Sequence, residues 1–217
     1  FATGFTFEIT GTAAHGGAFA HEGKDAVVAG SYLVTQLQTL VSREVAAADA
    51  AVVSVGVFTA GQVANQIADK AVLWGTTRAE SREIHEYLKT RLAEVAQGTE
   101  LAFDMPVSLD IVVEAPGVIN NKAMLDIVRE TSYTVLGEEN VDIYTKSNMG
   151  GEDFSFYTEQ IPGFYYWLGT ANTEKGITAG LHTPGYDADE RSLVVGVAMQ
   201  LESINALQQY QSTGGEF

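Results

Sequence analysis

The sequence predicts a mixed α/β chain in two parts: an antiparallel sheet with two helices on one face over residues 1–115, then a strand-poor segment over residues 116–217. Three observations predict it. Several short runs alternate apolar and polar side chains, the period of a half-buried strand, and two longer stretches repeat apolar residues at intervals of three and four, as a helix does. The third observation is their order of strand, helix, strand, strand, helix, strand before the pattern changes near residue 114.

Phe5, Phe7 and Ile9 alternate with Thr6, Glu8 and Thr10, and Gly11 ends the run. A loop, GTAAHGGAFAH, follows, and Asp25 then caps a helix whose Val27, Val28, Leu33, Val34, Leu37, Leu40 and Val41 form one stripe. The valine-rich residues 51–58 read as a second strand and residues 71–78 (AVLWGTTR) as a third, with a polar loop between them that contains Asn65. Ser81 caps a second helix with Ile84, Leu88, Leu92 and Val95 inward, His85 on the solvated outer face beside Glu83 and Glu86, and Gly98 as its stop. Residues 101–113 close the unit as a fourth strand, where Pro106 signals an edge or a bulge. The succession is the split βαβ arrangement of a ferredoxin-like domain.

Pro116 and Gly117 mark a boundary. Beyond it the patterns predict a helix over 122–136, short strands over 141–144 and 164–168, and a closing helix over 189–207. Two helices and two short strands make a poor core for about a hundred residues, so this part is expected to complete a larger sheet whose other strands lie outside the chain. Phe1 opens directly on a strand pattern, which suggests that an N-terminal part is missing.

The 12 Lys and Arg against 28 Asp and Glu leave a net charge of −16, which repels phosphate backbones and anionic lipid and argues against nucleic-acid and membrane partners. No apolar run nears the roughly 20 residues of a membrane helix, and FATGFTFEIT alternates like a strand rather than a signal peptide, so a cytoplasmic location is expected. With no cysteine, thiolate nucleophiles and thiolate metal ligands are excluded.

His15 stands among residues with almost no side chain, where a loop can lie close against a ligand. His182 sits in LHTP, its backbone held by the following proline. Neutral imidazole is the commonest nitrogen ligand of zinc, yet one histidine is one of about four ligands, so companions for His182 must come from elsewhere. His21, next to Glu22, suits a helix cap. In SNMGGEDFSF (residues 147–156), the backbone N–H groups of Gly150 and Gly151 suit a carboxylate or a developing oxyanion, while Glu152 and Asp153 serve equally well as caps compensating a helix dipole.

Taken together, GTAAHGG, DAVVAGSYLVTQLQTLVSRE, VVSVGVFTAGQVANQIADKAVLWGTTR, GGEDFSFYTEQIPGFYYWLG and LHTPGYDADE resemble the co-catalytic zinc metallopeptidase family. That family includes hippurate hydrolase, aminoacylase, glutamate carboxypeptidase, N-acetyl-diaminopimelate deacetylase and the plant auxin-conjugate amidohydrolases, and the amidohydrolase branch is nearest in style. The resemblance implies that residues 1–115 are a lid that dimerises and residues 116–217 the C-terminal part of a catalytic domain whose N-terminal half is absent. It implies His15 as the catalytic lid histidine that polarises the scissile carbonyl, Asn65 as the lid-loop asparagine, and Arg78 as the grip on the substrate's free carboxylate. Gly151 and Glu152 are implied as pocket lining and His182 as the last metal ligand. Ala20 and Ala68 depart from the family by standing where it carries proline.

The cofactor so implied is a pair of divalent metals, zinc or else manganese or cobalt, incompletely held by this chain. The implied substrate is an N-acyl amino acid or a short peptide. The general base belongs to the absent half, so the chain alone is expected to be inactive. Spacing adds one expectation: Asn65 precedes the third strand and Arg78 ends it, roughly 25 Å apart, too far for one dipeptide-sized ligand. A homodimer joined through the lid is therefore expected, with Asn65 and His15 serving the neighbour's site. The competing reading is a non-catalytic dimerisation or small-molecule-binding module.

Overall fold

The computed structural model describes residues 1–146 and 148–217, and divides into two compact units, Phe1–Gly117 with Lys146–Phe156, and Val118–Thr145 with Tyr157–Phe217. In the first, the strands are β1 (Ala2–Thr10), β2 (Ala14–His15), β3 (Ala51–Ala60), β4 (Gln66–Ile67), β5 (Lys70–Ala79) and β6 (Val107–Ala115). The four long ones form an antiparallel sheet in the order β3-β5-β1-β6, and β2 and β4 pair apart from it.

Alternation decides which face of the sheet is covered. Phe5, Phe7 and Ile9 of β1 and Ala71 and Leu73 of β5 are buried beneath two helices, α1 (Ala26–Thr39) and α2 (Arg82–Phe103), whose Leu33, Leu37, Leu88 and Leu92 complete one apolar cluster. Each of the Phe, Ile and Leu side chains contributes about 1.5–3 kcal/mol by leaving water. Asp25 caps α1 as expected, its Oδ1 accepting from the backbone N–H of Val27 at 2.9 Å. The inward seam differs from the predicted stripe: Ala26, Ala29 and Gly30 are buried, while Val27 and Val28 are exposed. Small residues let the helix approach the sheet, and a Cβ on Gly30 would meet the Phe58 ring at 2.7 Å.

Ser81 caps α2, accepting from Ile84 N–H at 3.2 Å. Gly98 does not stop this helix. It faces open space while Val95, Ala96 and Thr99 carry the buried stripe onward, and the end comes at Asp104, whose φ of 51° is left-handed. β6 accordingly starts at Val107, later than predicted, and Leu101 lies exposed on the helix. Pro106 precedes this edge strand and offers its carbonyl to Thr10 N–H at 3.0 Å.

His85 corrects another expectation. Only 4% exposed, it packs against the Phe1 ring at 5.4 Å, because it lies one turn before Leu88 on the inward stripe. Desolvation, aided by Lys89, holds its pKa below the ordinary imidazole value.

In the second unit, α3 (Lys122–Leu136) is capped by Asn121, whose Oδ1 accepts from Met124 N–H at 3.1 Å, and packs on a long C-terminal helix, Arg191–Ser212. Residues 141–144 and 164–168, predicted as strands, form none, since a strand needs a ladder partner and neither has one among the described residues. Tyr165 is held instead by the Asn120 side chain, which accepts from its N–H at 2.8 Å and donates to its carbonyl at 2.9 Å. Among the described residues no helix is long and apolar enough to cross a membrane.

A lowered folded-state pKa means that the unfolded chain binds the His85 proton first, so stability falls as the pH drops through about 6.5 towards the folded value. Thermal unfolding followed by circular dichroism between about pH 7.5 and 5.5 is expected to show this decline, and His85→Leu should flatten it. An unchanged slope in the variant contradicts the assignment.

Candidate functional site

The His15 loop is anchored at both ends. Where β1 finishes, Gly11 N–H donates to Asp69 O at 2.8 Å, and Thr12 and Lys24 exchange N–H···O bonds of 3.0 Å that close the loop. Gly11 is required here, since a Cβ would lie 2.2 Å from Lys24 O. Within the loop, β2 pairs with β4 so that Ala14 faces Ile67 and His15 faces Gln66, and Gly16 N–H donates to Asn65 O at 2.8 Å. His15 and Asn65 are thereby brought to the same end of the sheet.

The His15 ring is exposed, and its Nδ1 accepts from the backbone N–H groups of Gly17 at 3.2 Å and Ala18 at 3.1 Å. Both bonds need a lone pair on Nδ1, so the neutral ring carries its proton on Nε2. The outer nitrogen is then a donor, the form that can polarise a carbonyl oxygen.

Arg78 stands at the other end. Lys70 opposes Thr10 at the start of β5, whereas Arg78 opposes Ala2 and Val52, eight rungs or about 26 Å further along. Arg78 is half-buried, and its Nη1 donates to Thr77 O at 2.8 Å. Gly151 lies at this same end, where a Cβ would sit 3.8 Å from Ala2 Cβ. Gly150 N–H is taken up by Asn148 Oδ1 at 2.8 Å. Glu152 caps a single helical turn, α4 (Ser155–Thr158), its Oε1 accepting from Phe154 N–H at 3.2 Å and its carbonyl from Ser155 N–H at 3.2 Å. Ser147, the first residue of that stretch, lies outside the described residues. The long C-terminal helix of the second unit is therefore α5.

His182 is exposed in a loop and left-handed at φ 62°, a conformation rare for a residue with a Cβ. Around it Thr183 Oγ1 donates to Gly180 O at 2.7 Å and Tyr186 N–H to Thr183 O at 3.0 Å. His21 caps no helix among the described residues: it lies exposed in the short turn Ala20–Glu22, 3.9 Å from Glu22, and Asp25 caps α1. No group of three or more His, Cys, Asp or Glu among the described residues could hold a metal ion. One imidazole does not make the set that zinc requires, so these residues alone do not fit a complete metal centre.

One residue was overlooked. Asp189, in the acidic run DADE, looks from sequence like dipole compensation at a helix start, yet it is buried at the centre of a polar cluster with Asn172, Lys175 and Arg191.

The mixed α/β fold is shared with solved structures. A chain from methicillin-resistant Staphylococcus aureus superposes at TM-score 0.81 and 26% identity, covering 94% of this chain and 52% of that one. A Bacillus subtilis protein described as a dinuclear metal binding peptidase from the M20 family shares the fold at TM-score 0.72 and 24% identity, over 95% of this chain and 49% of that one. The chain belongs to peptidase family M20/M25/M40, whose model matches residues 14–206. An N-acetyldiaminopimelate deacetylase of Brevibacillus brevis is 36% identical over 187 residues, 84% of this chain and 48% of that protein. The chain thus spans about half the length of the curated relatives it matches.

The double N–H contact makes a spectroscopic prediction. Long-range ¹H–¹⁵N correlation of the His15 ring at a pH where it is neutral should show the proton on Nε2. A predominant Nδ1–H form contradicts this geometry.

Proposed function

We propose that this chain is the lid and the C-terminal catalytic segment of a cytoplasmic amidohydrolase that cleaves the amide of an N-acyl amino acid or short peptide with a free carboxylate. The observation that carries the reading is the division of polar groups between the two ends of one sheet, His15 with Asn65 beyond the Lys70 end and Arg78 with Gly151 at the other. In this reading residues 1–115 are a ferredoxin-like lid and residues 116–217 belong to the catalytic domain. The His15 Nε2–H donates to the scissile carbonyl oxygen as negative charge builds on it, with the Asn65 amide beside it. Arg78 takes the free carboxylate with two parallel N–H···O bonds, a geometry lysine cannot reproduce. Gly151 and Glu152 line the pocket next to that carboxylate.

His182 would hold one metal, together with donors from the portion that the relatives contain and this chain does not. A bound divalent pair, zinc or else manganese or cobalt, would supply a water of lowered pKa and a Lewis acid for the carbonyl. The isolated chain is accordingly expected to show no turnover.

One sheet cannot bring both ends to one small ligand, so the reading requires a homodimer in which His15 and Asn65 serve the partner's site. β3 supports this. It is an edge of the sheet, ten residues long and without a charge, whereas the opposite edge, β6, follows a proline and carries Asp110. An unprotected edge of that kind invites a second strand.

The test uses a protein of the relatives' length and N-acetyl amino acids as substrates. Arg78→Ala is expected to lower kcat/KM roughly 10- to 100-fold, the loss of charge-assisted hydrogen bonds worth about 1.5–3 kcal/mol, with Arg78→Lys recovering little of it. The matching carboxamides should lose far less. Equal losses on both substrates would remove Arg78 from carboxylate recognition.

A further inference from the structure

The two limbs of the loop that carries His182 meet at one carboxylate and at one backbone hydrogen bond. Asp189 is 5% exposed and lies just ahead of α5. Its Oδ1 accepts from Lys175 Nζ at 3.0 Å and from Arg191 N–H at 3.2 Å. Its Oδ2 accepts from Arg191 Nε at 2.9 Å, from Arg191 Nη2 at 2.7 Å, and from the Asn172 amide nitrogen. The backbone repeats the connection, since Asp189 N–H donates to Thr170 O at 2.9 Å.

Asn172 in turn organises the other limb. Its backbone exchanges two 2.8 Å bonds with Ile177, and its Oδ1 accepts from Lys175 N–H at 3.2 Å. Residues 170–177 and 189–191 are thereby fastened to each other, and residues 178–188, with His182 at φ 62°, are the span between the fastenings. A left-handed backbone costs a residue with a Cβ conformational energy that contacts around it must offset, although histidine adopts it more often than most.

We propose that Asp189 is a positioning residue: its carboxylate joins the two limbs of the loop and so holds His182 in its left-handed turn. The use made of His182 rests on the amidohydrolase reading, whereas the fastening of the loop does not. A helix-capping role alone would be satisfied by the bond to Arg191 N–H, and it leaves Lys175 and Asn172 unexplained. Asp189 is buried although Lys175 and Arg191 stay largely exposed around it, so the contacts hold by hydrogen-bond geometry as well as by charge. Burial makes the carboxylate hard to replace, because an amide of the same shape turns a donor towards Lys175 and Arg191.

The experiment compares the wild-type 217-residue chain with Asp189→Ser, which can still cap α5, and Asp189→Asn, which keeps the shape. The readouts are the His182 intraresidue Hα–HN NOE, strong only at positive φ, and amide exchange of residues 178–188. The expected result is loss of the NOE and faster exchange in both variants, with the circular dichroism of the helices retained. Lys175→Ala should show a smaller change in the same direction. A His182 NOE that survives in Asp189→Ser with α5 intact overturns the proposal and leaves Asp189 as a cap. Should the serine variant lose α5, Asp189→Asn decides on the same readout. Zinc titration of the relatives-length protein addresses the other claim: if His182→Ala binds zinc as tightly as the wild type, the metal reading fails while the loop result stands.

Discussion

The backbone ladder between β1 and β5 runs unbroken from Ala2 opposite Arg78 to Thr10 opposite Lys70, and an extended chain advancing about 3.3 Å per residue keeps those ends roughly 26 Å apart. No side-chain movement spans that distance. His15 and Asn65 are tied to one end by β2–β4 pairing, and Arg78 and Gly151 belong to the other. The stiffness comes from the apolar side. Phe7, Ile9, Leu73, Leu88 and Leu92 are fully buried, at about 1.5–3 kcal/mol each, whereas exposed pairs such as Lys70 with Glu8 contribute about 0–1 kcal/mol. The sheet therefore acts as a ruler that holds His15 and Arg78 at opposite ends.

What each end can do follows from local hydrogen bonding. At the His15 end, two backbone N–H groups occupy Nδ1 and leave Nε2–H outward, so the ring is set as a donor by a loop that Gly11 allows to close. At the Arg78 end, a planar guanidinium donates through Nη1 to Thr77 O, and Gly151 lies against Ala2 at the same end. In the second unit the same logic recurs with opposite polarity, where a buried carboxylate gathers donors around a loop that carries a third polar group, His182.

Much of this was legible in the residues. The alternation of Phe5, Phe7 and Ile9, the caps Asp25 and Ser81, and the bounds of α3 all appear as the sequence pattern predicts. The misreadings share a physical origin, for each concerned a residue whose neighbours in sequence differ from its neighbours in space. His85 is flanked by glutamates yet faces Phe1, Gly98 is a helix breaker only where the inward stripe has ended, and Val27 and Val28 lose the interior to smaller residues that allow closer packing. Residues 164–168 have the composition of a strand, and composition cannot supply the partner that a ladder needs. Asp189 was hidden because an acid ahead of a helix is ordinary, and only the fold shows Asn172 and Lys175 converging on it.

The claim on which the account turns is that the two ends of one sheet serve two different sites. Mixing His15→Ala and Arg78→Ala variants of the relatives-length protein, under conditions where subunits exchange, tests it by activity. Two impaired preparations, the Arg78→Ala one retaining a tenth of wild-type kcat/KM or less, should together rise to about a quarter of the wild-type value, because half of the dimers are mixed and one of their two sites has both residues. No rise in a mixture shown to contain mixed dimers would contradict the account.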